Sequence, residues 1–312
     1  MDKNSVILIT GAGGVLGNAI LHLLHGCGYN KILTPTKMEL DCTDAVSVHN
    51  YIEKNKPRFV FHLASLVFGI KGNLQNQANS FRANTLMSLH VLEASAKANV
   101  EKLFYAGTVA SYPFPYLSMP IQERDFWIGK PHNGEYGYAL AKRNALGLLE
   151  ILKESSGMDF VYGIFTNLFG PNDKFNIETG HVIPSLVAKT VAAEMSNKRV
   201  LEVWGNAGTT RDFLYSADAA KAALLCMEKY SGEINIASGI ETSMGEIAAA
   251  LKNASVCDVD IRWRDDQPVG IPRRYFDVSR LKAIGFEQSY PINVGVAETL
   301  NWYRDNRINA RV

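Results

Sequence analysis

The stretch TGAGGVLG, residues 10–17, decides the fold of this chain. It follows an apolar run at residues 6–9 and opens an amphipathic pattern that predicts a helix over residues 15–25. Gly11, Gly14 and Gly17 have GxxGxxG spacing, which would let backbone amides approach a pyrophosphate at the positive end of the helix. A strand, a glycine loop and a helix in this order predict a dinucleotide site. The alternative is a tight strand-to-helix turn with no ligand.

Strands and helices continue to alternate through the first half of the chain. Apolar, strand-like runs occur at residues 6–9, 31–33, 59–63, 102–105 and 160–164, and helical patterns occur at 15–25, 44–54, 79–98 and 136–155. This alternation predicts an α/β, Rossmann-like fold with a doubly wound parallel sheet. After Gly170 the pattern loosens, with further strands predicted at 201–204 and 233–236. We expect a dinucleotide-binding domain at 1–166 plus about 200–236, and a smaller, interleaved C-terminal substrate lobe at 167–199 and 237–312.

Composition narrows the classes of protein that this chain can be. Its 312 residues carry a formal net charge of +1, which argues against broad electrostatic binding to nucleic acid. The four cysteines are scattered without a CxxC pair, so they predict no metal site and suit reduced thiols in the cytoplasm. No apolar run reaches the length of a membrane span. We therefore expect a soluble cytoplasmic protein.

The end of the second predicted strand bears on which dinucleotide binds. An acidic residue there would bind the ribose 2′-hydroxyl of NAD, whereas a basic residue suits the 2′-phosphate of NADP. The sequence has Lys37 in this region and no carboxylate in the expected place, which favours NADP, although a solvated loop lysine would not exclude NAD. Asp41 could accept a hydrogen bond from the adenine amino group, or it could stand near the N-cap of the next helix.

Tyr138 and Lys142 form the candidate catalytic pair. They are four residues apart in a predicted helix and therefore share one face. A free tyrosine has a pKa of about 10, and we expect the lysine cation to lower it, so that the phenol can exchange a proton with a sugar oxygen while a nicotinamide carries hydride. Thr108 follows the fourth strand, where it could hold the same oxygen or cap a turn. The alternative for the pair is a solvated helix face.

These motifs together resemble the extended short-chain dehydrogenase/reductase family, and the similarity covers essentially the whole chain. Several stretches are similar to the GDP-L-fucose synthases of that family: MELDCTD, FHLASLVFGI, YAGTVASYP, EYGYALAK, TNLFGPNDKF, GHVIP, VWGNAGTTRDFLYSADAA and GIPRRYFDVSRL. The resemblance implies NADPH as cofactor, with NADH not excluded, and a GDP-4-keto sugar as substrate. It also implies a homodimer formed through the two long helices near 79–98 and 136–155.

The resemblance extends to individual site residues. The predicted cofactor-binding set is Gly11, Gly13, Gly14, Val15, Leu16, Lys37, Asp41, Leu63, Ala64, Tyr138 and Lys142. The predicted substrate-binding set is Thr108, Asn167, His181, Trp204, Arg211, Lys174 and Arg273. Arg211 would pair with a phosphate, because the planar guanidinium fork suits diphosphate oxygens. Trp204 could instead pack in a core, and Lys174 and Arg273 could be solvated charges.

One position departs from the pattern of the family. GDP-L-fucose synthases carry a cysteine two residues after the catalytic serine or threonine, and it acts with the histidine of the HVIP stretch to move protons at carbons 3 and 5. Here Ala110 takes that position while His181 is kept; without its partner, His181 could be a solvated loop residue. A methyl group can neither remove nor return a proton.

We therefore expect NADPH-dependent reduction of the 4-keto group of a GDP-sugar, a 6-deoxyhexose or a heptose, with 3,5-epimerase activity absent or weak. One alternative is a bifunctional epimerase-reductase in which another residue replaces the cysteine. The other alternative is a non-catalytic protein that senses NADP(H), against which the complete set of Thr108, Tyr138 and Lys142 argues.

Overall fold

The computed structural model describes residues 1–68, 70–264 and 271–311 of the chain. Gly69 and Gly270, which belong to two of the quoted stretches, and residues 265–269 and 312 of the predicted C-terminal lobe lie outside the described residues.

The secondary structure alternates between strands and helices as the sequence predicts. The strands are β1 (Ile7–Thr10), β2 (Ile32–Leu33), β3 (Phe59–His62), β4 (Lys102–Thr108), β5 (Asp159–Phe165), β6 (Asn167–Phe169), β7 (Val200–Trp204), β8 (Thr210–Arg211), β9 (Phe213–Tyr215), β10 (Gly232–Ile236), β11 (Thr242–Ser243) and β12 (Asp260–Arg264). The helices are α1 (Val15–Gly26), α2 (Ala45–Asn55), α3 (Ile70–Gln75), α4 (Gln77–Lys97), α5 (Tyr136–Ser156), α6 (Val182–Glu194), α7 (Ser216–Lys229), α8 (Met244–Ala254), α9 (Ser279–Ala283) and α10 (Ile292–Asn306).

The main sheet is parallel throughout, with strand order β10-β5-β4-β3-β1-β2. All residues of β1 and β3 are buried, which explains why these strands read as continuous apolar runs. The chain runs from β1 to β2 in one direction along the sheet and from β3 to β4 in the opposite direction. The strand order therefore reverses between β1 and β3. The doubly wound α/β fold is thus confirmed, and ligands bind at such a reversal, outside the carboxyl ends of the strands.

The described residues form two hydrophobic clusters. The larger cluster surrounds the main sheet, and the smaller one joins α6, α8 and α10 with the short strands β7, β9 and β12. The predicted domain boundaries stay a prediction, and the packing of two segments bears on them. Leu201 and Val203 of β7 pack in the smaller cluster because β7 pairs with β12, whereas Phe276 to Phe286 return to the larger cluster. No helix among the described residues is both long and apolar enough to span a bilayer.

The glycine loop connects β1 to α1 with very little free space. Gly11 has a φ of +75°, and a Cβ there would lie 2.7 Å from the backbone nitrogen of Ala64, just beyond β3. A Cβ on Gly17, in the first turn of α1, would lie 2.7 Å from the Cα of Ala12 and closer still to the carbonyl oxygen of Gly11. A Cβ on Gly13 would meet no atom within 4 Å. Gly11 and Gly17 therefore close the turn, whereas Gly13 faces open space.

Substitution of two glycines tests this division. Gly17→Ala should lower the free energy of unfolding by about 1–3 kcal/mol, because the added methyl group overlaps backbone atoms that cannot move away independently. Gly13→Ala should change it by no more than about 0.5 kcal/mol, because its methyl group meets nothing. Urea unfolding followed by circular dichroism measures both values, and equal losses of stability in the two variants would contradict the assignment.

Candidate active site

The predicted catalytic residues meet at the carboxyl edge of the main sheet. Thr108 is the last residue of β4, and Tyr138 and Lys142 lie one turn apart near the start of α5. The Lys142 side chain is 2% exposed, and its ammonium donates a hydrogen bond to the carbonyl of Ala106 at 2.8 Å. The same nitrogen lies 5.7 Å from the ring centroid of Tyr138 and 4.6 Å from that of Tyr105. The three predicted residues are therefore brought together.

The electrostatics of the pair differ from the sequence-based expectation. Burial raises the pKa of Tyr138 to about 12, and interactions with the hydroxyls of Ser65 and Thr108 offset part of that rise. Burial also lowers the pKa of Lys142 to about 7. The pKa of the phenol is therefore raised, in contrast to the expected lowering by the lysine cation, because desolvation disfavours the charged form of both groups.

Thr108 has one of the two roles that the sequence left open, since it caps a turn. Its side-chain oxygen accepts a hydrogen bond from the Ala110 amide at 3.2 Å and so caps the short 3-10 turn Val109–Ser111. The same hydroxyl interacts with the phenol of Tyr138. A hydroxyl has one hydrogen and two lone pairs, so the turn fixes the position of Thr108 and uses only one of its lone pairs.

Ala110 is 8% exposed and sits inside this turn, next to the reactive edge. The four cysteines, all within the described part of the chain, belong to other regions. Cys27 follows α1, Cys42 precedes α2, Cys226 lies within α7 and Cys257 lies between α8 and β12. Among the described contacts, none joins a thiol to Thr108, Ala110 or Tyr138.

The glycine loop has the shape and the charge that a dinucleotide requires. Gly14 caps α1 without a side-chain hydrogen bond, and the first turn of α1 carries no acidic residue. The N–H groups of this turn, which begins at Val15 and Leu16, point towards the N-terminal end of the helix, where a Cβ on Gly13 would meet no atom within 4 Å. Leu63 and Ala64 continue β3 directly beside the loop. These residues fit a diphosphate at the N-terminus of a helix.

After β2, Lys37 is exposed and lies near Asp41, whose pKa it helps to lower. Hydrogen bonds from Thr43 are the main cause of that lower pKa, and they occupy one oxygen of the Asp41 carboxylate at 2.7–2.8 Å. The N-cap of α2 is Asp44. Asp41 therefore does not cap the helix, and its second carboxylate oxygen is available.

Asn167 and Arg211, predicted to bind the substrate, are adjacent at the start of the second lobe. The Asn167 amide donates to the carbonyl of Asp212 at 2.8 Å, and its oxygen accepts a hydrogen bond from Arg274 at 3.2 Å. Burial and the nearby charge of Arg274 lower the pKa of Arg211 to about 10. Within the described residues no carboxylate pairs with either guanidinium, so the two like charges form an uncompensated cationic site.

The remaining predicted residues lie around this centre. His181 is 53% exposed at the N-cap of α6, and its ring lies 3.9 Å from the buried carboxylate of Asp173. Trp204 is 42% exposed, with the ammonium of Lys189 4.2 Å from its ring centroid. Lys174 is exposed. The structure does not bring Arg273 into the cationic site, because both arms of its guanidinium bind Glu241 at 2.7 and 2.8 Å.

Three site residues were missed by sequence reasoning. Ser65 lies at the carboxyl edge beside Tyr138, a placement that its position just after β3 could have indicated. Arg274 stands next to Arg273, and the sequence offers no means of choosing between them. Arg311 lies 3.5 Å from the carbonyl of Gly13 although 298 positions separate the two residues. Nothing in the local sequence points to that contact.

Comparison with known proteins identifies the family to which the chain belongs. A model described as the NAD dependent epimerase/dehydratase family matches residues 7–237. The probable GDP-L-fucose synthase 1 of Oryza sativa subsp. japonica is 31% identical over 313 residues, which cover 99% of this chain and 95% of that protein.

Solved structures are similar to this chain over all or nearly all of its length. A GDP-L-fucose synthetase from Naegleria fowleri bound to NADP has a TM-score of 0.93 and 28% identity, covering 100% of this chain and 96% of the other. A GDP-mannoheptose C4 reductase from Campylobacter jejuni with NADP bound has a TM-score of 0.88 and 25% identity, covering 97% of this chain and 99% of the other.

The buried lysine should leave a signature in the pH dependence of stability. Because the pKa of Lys142 falls from 10.5 to about 7 on folding, its ammonium destabilises the folded state fully below pH 7, and the penalty is relieved as the pH rises towards 10.5. We expect Lys142→Met to be more stable than the wild type below pH 7, by on the order of a few kcal/mol. Urea unfolding without nucleotide should show this difference shrinking between pH 7 and 10, and a constant difference would contradict the assignment.

Proposed function

The chain belongs to the NAD dependent epimerase/dehydratase family, and from that premise we propose that it is an NADPH-dependent 4-ketoreductase acting on a GDP-4-keto sugar, a 6-deoxyhexose or a heptose, with 3,5-epimerase activity absent or weak. The observation that carries this proposal is the grouping of Thr108, Tyr138 and Lys142 at the carboxyl edge of the main sheet. Ala110 adjoins this group in the place of an acid-base residue.

In the proposed reaction, bound NADPH supplies a hydride to carbon 4 of the sugar. Tyr138 donates its proton to the ketone oxygen as that oxygen gains negative charge. Thr108 donates a hydrogen bond that orients the same oxygen, and the turn that it caps holds its side chain in place. Lys142 would bind the nicotinamide ribose, and its buried position between the rings of Tyr105 and Tyr138 fixes the direction of its ammonium.

The choice of NADPH rests on charge at the end of β2. The exposed Lys37 offers a cation for a 2′-phosphate. The carboxylate that is nearest in sequence, Glu39, accepts hydrogen bonds from the amide and hydroxyl of Thr36 at 2.7 and 2.9 Å. This local bonding supports the assignment of Lys37 as the residue that faces the ribose.

The diphosphate of the substrate would bind between Arg211 and Arg274. Two adjacent guanidiniums without a carboxylate partner among the described residues are unfavourable until an anion separates them. The hydrogen bond from Arg274 to the amide oxygen of Asn167 would orient its guanidinium towards this anion. His181 and Trp204 would then contact the sugar nucleotide, and Lys174 stays a predicted contact.

The proposed lack of 3,5-epimerase activity rests on the number of acid-base groups that epimerisation needs. Inverting the configuration of a carbon next to a ketone requires a base on one face of the sugar and an acid on the other. His181 can supply one of these groups, and the methyl group of Ala110 cannot supply the other.

A homodimer formed through α4 and α5 completes the proposal. The two helices pack side by side, and Phe81, Tyr136 and Leu140 line a shallow groove on their outer face. Phe81 keeps 36% of its surface exposed there, which a second copy of the chain would cover. The cytoplasmic location stays a prediction.

Turnover in heavy water tests the function. Wild-type protein with a GDP-4-keto sugar should consume NADPH and yield a product without deuterium at carbons 3 and 5, because no group returns a solvent proton there. Tyr138→Phe should reduce NADPH consumption to background, because the ketone oxygen loses its proton donor. Mass spectrometry and NMR locate the label, and an incubation without protein corrects for spontaneous exchange. Enzyme-dependent label at both carbons would show a bifunctional enzyme, and a lack of NADPH consumption across GDP-hexose and GDP-heptose substrates would favour the sensing protein.

The two neighbouring arginines can be distinguished by their effect on substrate binding. Arg274→Ala should raise the KM for the GDP-sugar about ten- to a hundredfold, since hydrogen bonds between charged groups are lost. Arg274→Lys should recover only part of that loss, because an ammonium lacks the planar fork. Arg273→Ala should cause a smaller rise, because Glu241 already occupies its guanidinium. A larger effect at Arg273 than at Arg274 would reverse the assignment.

A further inference from the structure

The loop after β3 brings a second hydroxyl to the phenol of Tyr138. Ser65 stands three residues beyond the end of β3, and Thr108 ends the neighbouring strand β4. The two hydroxyls therefore reach the phenol from adjacent strands, and both interact with it. Thr108 is already assigned to the ketone oxygen of the substrate. Ser65 has not been assigned a role in the reaction, and its hydrogen bonds indicate one.

Asn84 fixes the orientation of this serine. The Asn84 side chain is 2% exposed. Its oxygen accepts hydrogen bonds from the Ser65 hydroxyl at 2.7 Å and from the Leu66 amide at 2.9 Å. Its nitrogen donates to the carbonyls of Leu66 at 2.9 Å and Ser80 at 2.8 Å. Because an amide N–H faces the oxygen and two carbonyls face the nitrogen, the amide cannot be reversed.

The direction of the Asn84 amide determines the state of Ser65. The serine must donate its hydrogen to the Asn84 oxygen, so its lone pairs are left to face the protonated phenol. After Tyr138 has given up its proton, the phenolate attracts a donor instead. Ser65 can then rotate its hydrogen to the phenolate, and the Asn84 oxygen keeps its bond from the Leu66 amide. The rotation therefore leaves no buried acceptor without a partner.

We propose that Ser65 is a positioning residue of the reductase, held by Asn84 beside Tyr138 so that its hydroxyl donates to the phenolate as the phenol proton passes to the ketone oxygen. The proposal rests on the proposed function for its catalytic meaning. In the step, the O–H bond of Tyr138 breaks and an O–H bond to the substrate oxygen forms, while the hydride supplies the electron pair to carbon 4. Ser65 exchanges one hydrogen-bond acceptor for another and loses no proton.

The surroundings of the Tyr138 phenol explain why the phenolate needs a hydrogen-bond donor. Burial disfavours the phenolate, and Lys142 directs its ammonium to the carbonyl of Ala106. A hydrogen bond to a charged group stabilises it more than a bond between neutral groups does. Ser65 thus compensates part of the desolvation that makes Tyr138 a weak acid.

A titration of the phenol tests the proposal without any substrate. We would replace Tyr138 by 3,5-difluorotyrosine in the full-length chain, which lowers the phenol pKa into a measurable range, and follow its titration by fluorine NMR with NADP+ present. Ser65→Ala should raise the pKa of this phenol by about one unit, a tenfold loss of acidity. Ser65→Thr, which keeps the hydroxyl, should restore most of the original value.

Ser88→Ala is the matched control. Ser88 lies one turn after Asn84 on the same helix, and its hydroxyl bonds to the phenol of Tyr105 at 2.7 Å. Its removal deletes an equally small, buried hydroxyl and should leave the titration of residue 138 unchanged. An unchanged titration in Ser65→Ala, or an equal change in Ser88→Ala, would overturn the proposal.

Kinetics supply a second readout. With a reducible GDP-sugar, Ser65→Ala should lower kcat about tenfold and leave KM unchanged, whereas a change confined to KM would make Ser65 a substrate contact and overturn the proposal. The titration does not use a sugar, so a pKa shift in a protein that reduces none of the substrates would refute the proposed function while supporting the contact between Ser65 and Tyr138.

Discussion

The close approach between Gly11 and the chain beyond β3 is the constraint on which the rest of this structure depends. With no Cβ at Gly11, the loop after β1 can lie against Ala64. That contact holds together the two strands between which the order of the sheet reverses. The N-terminus of α1, the edge of β3 and the end of β4 are thereby presented on one side of the sheet, where both the dinucleotide and the reactive residues belong.

Desolvation is the second effect that organises the site. It raises the pKa of the Tyr138 phenol and lowers that of the Lys142 ammonium, because both charged forms lose water when α5 packs on the sheet. Hydroxyl donors at the edge of the sheet therefore matter more than the i,i+4 spacing suggests. A site with this balance favours a neutral phenol, which is the state that a proton donor needs.

The sequence was most informative where a residue type has few uses. The glycine spacing predicted the turn and the fold, which is confirmed, and the residues chosen for the reactive edge lie together. Weaker signals failed for physical reasons. The short strands β8 and β11 contain two residues each, too few to show a periodicity. Arg273 and Arg274 differ only in their neighbours, since Glu241 is 32 positions away from the former and Asn167 is 107 positions away from the latter.

The sequence by itself determined the parallel sheet and the glycine loop, and it predicted which side chains are reactive, because each depends on spacing within a few residues. It also determined that a methyl group stands at position 110. Only the tertiary structure decided which charges are compensated, that Ser65 and Arg311 reach the site, and that burial dominates the pKa of Tyr138. These properties depend on atoms brought together from distant parts of the chain, and local spacing carries no information about such distances.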